Sequence, residues 1–215
     1  MQTILELLAI CLILLNFRLL GASRLRSCVG AVAIQALALN LLPLLSSAGE
    51  DWWIIAMMAG STAIKVIVLP ALVLRAIDRT KVVNEIEPLV GYTKSLIIGA
   101  AMLALCALAS RRLTVPLGGV DQILVPISLF TILTGAFLLV ARRKAITQVL
   151  GFLVLENGVY LFGVTFAVSE PWLVQMGVLL DLMAAVFVMG IIIYHINREF
   201  DHIDIDRLSN LRDGR

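Results

Sequence analysis

The sequence predicts an all-α membrane protein of seven transmembrane helices, with the N-terminus outside and the C-terminus cytoplasmic. Three observations carry that reading. The chain of 215 residues is 60% hydrophobic and only 15% charged, against roughly 45–50% and about 25% in a soluble domain. Its apolar residues fall in blocks long enough to cross a hydrocarbon core of about 30 Å at 1.5 Å per residue. No alternating strand pattern of a membrane barrel is present, and in lipid a helix is then the way to satisfy every backbone donor and acceptor. The same composition excludes an ordinary soluble domain, a disordered tail and a nucleic-acid-binding module.

Taken in order, the predicted spans are residues 3–20, 28–48, 52–76, 95–110, 122–141, 146–168 and 172–196. The first lacks the positive flank and small-x-small site of a cleavable signal peptide, and its Glu6 lies near the outer end. The second carries Gln35 and Asn40. The third holds Lys65 and Pro70; the proline removes a donor and frees the carbonyl of Val66, which predicts a kink or a hydrated break beside the lysine. The fourth is the shortest and is expected to tilt less or to borrow flanking residues. The sixth carries Glu156 and Asn157, and the seventh Asp181. Gly151, Gly158, Gly163 and Gly177 are expected to permit close helix approach. Residues 1–121 form an N-terminal four-helix region, and 122–215 a three-helix region with a tail. In that tail Ile205, Leu208 and Leu211 have the spacing of a short amphipathic surface helix.

The basic residues sort by side. Arg18, Arg24 and Arg26 follow span one; Arg75, Arg79, Lys81 and Lys94 follow span three; Arg142, Arg143 and Lys144 follow span five; and Arg198, Arg207, Arg212 and Arg215 lie in the tail. Only Arg111 and Arg112 fall opposite, beside the acidic turns at Glu50–Asp51 and Glu170. Cytoplasmic loops accumulate Lys and Arg, which sets the orientation. Trp52, Trp53 and Trp172 stand where an outer aromatic belt belongs. A faint internal repeat pairs Gly30 and Gln35 with Gly151 and Glu156.

Three charges lie at membrane depth. Glu156 and Asp181 are about ten residues into their spans, or about 15 Å deep, and Lys65 is at a similar height. A charge at the centre of a spanning helix costs at least about 2.5–3.5 kcal/mol, and such residues face one another or a hydrated cavity. Two readings of the trio stand: a proton relay, in which low dielectric favours the neutral carboxyl and lets it carry a proton, or a Lys–carboxylate pair that only fixes helix packing. Gln35, Asn40, Thr62 and Asn157 are the candidates to extend a path, each with interhelical hydrogen bonding as its simpler role.

Catalytic and redox motifs are absent from the sequence. Cys11, Cys28 and Cys106 are far apart and offer neither a disulfide framework nor a CxxC site. His195 and His202 are not placed as axial haem ligands from facing helices, and no GxGxxG or Walker pattern occurs. The expectation is a chain without a metal or cofactor of its own and without catalytic residues.

The run Arg142-Arg143-Lys144, then Leu150-Gly151-Phe152-Leu153-Val154-Leu155-Glu156-Asn157-Gly158, resembles the second helix of the K-type (4L) subunit of respiratory complex I. Span seven with Asp181 and the tail Asp204-Ile205-Asp206-Arg207-Leu208 is similar to its third helix and C-terminus. With Gln35 and Lys65-Val66…Pro70 included, most of the chain resembles component E of hydrogenase-4, a membrane subunit of complex-I-like group 4 hydrogenases. The resemblance implies a non-redox membrane-arm subunit in a bacterial or archaeal cytoplasmic membrane. Its implied partners are other membrane subunits, antiporter-like ones included, while partner subunits carry the iron–sulfur clusters and a metal centre. Glu156 and Asp181, with Lys65, then stand as proton-path residues. A cation/proton antiporter subunit and a purely structural bridging subunit are the rival readings.

Overall fold

The computed structural model of the chain describes residues 2–46, 52–79, 89–111, 121–142, 144–166 and 190. Apolar blocks within these residues form helices: α1 (Gln2–Gly21), α2 (Leu25–Ser46), α3 (Trp52–Ala63), α4 (Leu69–Arg79), α5 (Tyr92–Ser110), α6 (Asp121–Ala141) and α7 (Ala145–Phe166). A single π-helical turn, Ile64–Val68, joins α3 to α4 without a break. No β-strand occurs among the described residues. Five helices among them are long and apolar enough to cross a membrane: α1, the rod containing α4, α5, α6 and α7; the apolar stretch Leu25–Asn40 of α2 is shorter. The fourth predicted span borrows Tyr92, Thr93 and Lys94 to lengthen itself. Span seven apart from Gly190, with Asp181, Gly177 and the tail, lies outside the described residues.

Glycines set the closest packing. A Cβ on Gly151 would stand 2.8 Å from the backbone nitrogen of Leu139, and one on Gly158 would stand 2.6 Å from that of Ile132. A Cβ on Gly135 would fall on the backbone of Leu155. These pairings run in opposite directions along the two chains, so α6 and α7 form an antiparallel hairpin with their backbones in direct contact. Small residues allow this approach, which supplies the dispersion contacts that hold membrane helices together. Gly163, by contrast, faces open space, and Gly135 is the contact that the sequence reading lacked.

Around this hairpin α1 packs on α6, α2 on α7, and α5 on both α1 and α6, while α4 and the π turn lie against α2. The front and rear halves therefore share one interior. Outward, α1 shows Ile4, Leu7, Ile10 and Leu14, and α5 shows Ile97, Leu105 and Leu108. A helix that is apolar on its outer as well as its inner face belongs in lipid or in a larger core. At one end, Arg26 of α2 donates to Asp78 of α4 at 2.5 Å, with both side chains exposed; such a pair contributes about 0.2–1 kcal/mol.

The interior is layered. One apolar cluster gathers Leu19, Val32, Val73, Val149 and Val154 with their neighbours. A second gathers Leu12, Leu39, Ile127 and Leu161. On α2 the gap between them holds Gln35; on α6 it holds Thr131 and Thr134; on α7 it holds Glu156 and Asn157. All five are buried.

Candidate functional site

Lys65 owes its position to the proline five residues after it. Pro70 has no N–H to donate, and its ring would clash with the carbonyl four residues back, that of Val66. The helix widens by one residue instead: the Leu69 N–H reaches the carbonyl of Ile64, five residues back. Such π turns are single insertions in α-helices and recur at functional sites. The sequence leads one to expect a kink or a hydrated break here; the structure has the π turn, and Lys65 lies inside it, 4% exposed.

From the π turn the Lys65 ammonium reaches Glu156 on α7. Nζ stands 3.1 Å from Oε1, with the two side chains 3% and 2% exposed. The same Nζ lies 4.5 Å from the centre of the Tyr160 ring, one helical turn beyond Glu156, so the cation sits between a carboxylate and an aromatic face. Taking both charges out of water costs several kcal/mol per ion, which only close geometry offsets. Two of the three charges expected at mid-membrane are therefore in direct contact. The position of Asp181 lies outside the described residues.

A second polar array crosses α1, α2 and α6. Gln35 Nε2 donates to Asn16 Oδ1 at 3.1 Å, and Asn16 Nδ2 donates to Thr131 Oγ1 at 2.8 Å. Thr131 in turn donates to the Ile127 carbonyl at 2.8 Å. The interhelical bond expected of Gln35 is thus formed. Asn157 is buried beside Glu156. Asn40 is not brought to this array: its amide donates to the carbonyl of Ala36 on its own helix. Thr62 lies half-buried on α3, less than one turn before Lys65. Asn16, Thr131 and Tyr160 were missed by the sequence reading. An Asn inside an apolar span, and a Tyr four residues from a buried Glu, were the signals available.

Arg142, read from the sequence as a topology marker, is 2% exposed. Its Nη2 donates to the carbonyl of Leu20 at 3.0 Å, in the last turn of α1, where a cation also complements the helix dipole. Its guanidinium lies 5.6 Å from the Tyr92 ring. Burial pulls the guanidinium below its ordinary pKa range, offset in part by Tyr92 and Cys28, yet an arginine stays charged in a protein. Arg142→Ala is expected to cost about 1–3 kcal/mol by leaving that carbonyl unpaired, whereas Arg26→Ala should cost no more than about 1 kcal/mol. Denaturant titration of the solubilised chain checks the contrast.

Among the described residues no group of three or more His, Cys, Asp or Glu side chains is placed to hold a metal ion.

Comparison with known proteins gives the following. The family model described as NADH-ubiquinone/plastoquinone oxidoreductase chain 4L matches residues 123–213, which include Glu156 but not Lys65. The uncharacterized protein Rv0085 of Mycobacterium tuberculosis is 33% identical over 205 residues, covering 94% of this chain and 93% of that one. Hydrogenase-4 component E of Escherichia coli strain K12 is 26% identical over 126 residues, 59% of this chain and 58% of that protein; the Shigella flexneri protein of the same name matches equally. No solved structure matches the chain.

Proposed function

We propose that the chain, which belongs to one family with Rv0085 and carries a chain 4L match over residues 123–213, is a non-redox, proton-coupling subunit in the membrane arm of a hydrogenase or related oxidoreductase complex, as its similarity to hydrogenase-4 component E suggests. The single observation that carries this is the Lys65–Glu156 pair at 3.1 Å, with both side chains buried in the bundle. A charge pair kept there at a desolvation cost is what a proton route requires, because Glu156 can be neutral or ionised while Lys65 adjusts the balance. Asp181, within the chain 4L region, is the partner carboxylate in this reading. In this reading the redox groups, iron–sulfur clusters and a metal centre, belong to partner subunits.

The finer topology belongs to the same proposal: seven spans in a bacterial or archaeal cytoplasmic membrane, N-terminus outside and C-terminus inside, following the bias of the basic loops. A green fluorescent protein fused to the C-terminus is expected to fluoresce, and an alkaline phosphatase fused there to be inactive. The opposite pattern would overturn the orientation.

Capture of a tagged full-length chain from its native membrane tests the partner assignment. Antiporter-like membrane subunits together with a redox module are expected to co-purify. Recovery with cation/proton antiporter subunits and no redox module would favour the antiporter reading instead. A structural bridging role has one observation in its favour, the closed contact of the ion pair itself. On that reading Lys65→Met lowers the amount of assembled complex and leaves translocation per complex unchanged; on ours translocation per complex falls as well.

A further inference from the structure

We propose that the polar layer between the two apolar clusters is a binding site for ordered water, held by Gln35, Thr134 and Asn157. The Thr131 hydroxyl has one proton and donates it to the Ile127 carbonyl. It must therefore accept from Asn16, so Asn16 presents its amide nitrogen to Thr131 and its oxygen to Gln35. Gln35 is thereby obliged to present its nitrogen to Asn16, and its Oε1 is aimed elsewhere as an acceptor. That oxygen has no hydrogen-bond partner among the described residues, and neither do Asn157 Nδ2 or Thr134 Oγ1. All three side chains are at least nine-tenths buried: Gln35 and Thr134 are 0% exposed and Asn157 is 3%.

Register places the three residues in one layer of the bundle. Gly135 against Leu155 and Gly158 against Ile132 bring Thr134 to the height of Glu156 across the α6–α7 contact. On α2, Gln35 lies between Val32 of one apolar cluster and Leu39 of the other. Asn157 lies between Val154 and Leu161 of the same two clusters on the adjoining α7. An acceptor, a donor and a hydroxyl that does either are the partners of a water molecule, which needs two to four of them to be held in an interior. An unsatisfied buried polar group costs about 1–3 kcal/mol, so three in one layer favour bound water over three separate losses. Amides do not relay protons readily. Asn16 is thus a positioning residue that keeps the Gln35 carbonyl turned toward the water, and the water, at the level of Glu156, is the mobile element. Gln35 and Asn16 lie outside residues 123–213, so the site depends on the front half of this longer chain.

Infrared difference spectra of the full-length chain in lipid nanodiscs, recorded in ordinary and in heavy-oxygen water, test the site. An isotope-sensitive O–H stretching band of internal water is expected. Gln35→Met and Asn157→Leu should lose most of it, Asn16→Leu should shift it, and Asn40→Leu should keep it, because Asn40 bonds only within its own helix. Thr134→Val preserves side-chain shape and removes no bond seen in the fold, so it decides the matter if the other variants do not fold. Absence of the band in the unaltered chain, or its survival in Thr134→Val, would overturn the site. The water site does not rest on the proton reading: a band of this kind alongside normal translocation in Glu156→Gln would sink the proton reading alone.

Discussion

Replacing Lys65 with methionine is expected to lower the stability of the solubilised chain by about 3–5 kcal/mol, and adding Glu156→Gln is expected to restore most of the loss. The asymmetry follows from where the pair sits. With both partners present, the carboxylate and ammonium at 3.1 Å offset each other's desolvation. Remove the lysine and a buried carboxylate is left without its counter-charge; remove both charges and two uncharged side chains of similar volume remain beside the polar layer. Tyr160 cannot compensate, because the ring contact it makes to Nζ requires the cation. Denaturant unfolding of the two single variants and the double variant measures the coupling directly. Equal stability of Lys65→Met and the unaltered chain would show that the pair is not a charged pair in the membrane interior.

Substitution of Gly135 is expected to be as damaging for a steric reason. Gly135→Ala places its Cβ on the backbone of Leu155, and Gly158→Ala places its own 2.6 Å from the nitrogen of Ile132. No side chain can swing aside to make room, so α6 and α7 must part. The cost should reach or exceed the usual overpacking range of about 1–3 kcal/mol. Gly163→Ala is the control: a Cβ there meets nothing, and alanine is favoured over glycine in a helix by about 1 kcal/mol, so that variant should be as stable as the parent or more so. Thermal unfolding in detergent separates the three. Because the α6–α7 contact also fixes the height of Thr134 relative to Glu156, Gly135→Ala should perturb the polar layer as well.

Counting residues along an apolar span yields depth, and depth was enough to single out Lys65 and Glu156. It does not yield azimuth, and azimuth decides which groups touch. The π turn shows why: one inserted residue rotates everything beyond it by about 100° relative to an unbroken helix, so no helical wheel drawn through Pro70 places Lys65 correctly. Asn16 lies near the inner end of its predicted span, four residues from Leu20, where an asparagine can reach the interface, so its presence was a weak signal; the packing of α1 on both α2 and α6 turns it inward. Arg142 escaped notice for a different reason. A basic cluster after a span has a sufficient explanation in topology, and nothing in that cluster reveals that its first arginine folds back onto the end of α1. Gly151 and Gly158 were legible because small residues in apolar helices have few uses besides close approach. Asn40, by the same logic a path candidate, is satisfied within its own helix. The family resemblance read from Glu156-Asn157-Gly158 and its flanks agrees with the chain 4L match over residues 123–213.

The central claim is that Glu156 carries protons, and the proton-to-electron ratio of the assembled complex tests it most directly. Membrane vesicles containing either the unaltered chain or Glu156→Gln are supplied with the electron donor, and acidification is recorded against electron flow per assembled complex. Glutamine preserves the shape of the side chain and removes its capacity to take up and release a proton. Loss of most of the translocation in Glu156→Gln, with the complex assembled and electrons still flowing, is the predicted result; an unchanged ratio would contradict it.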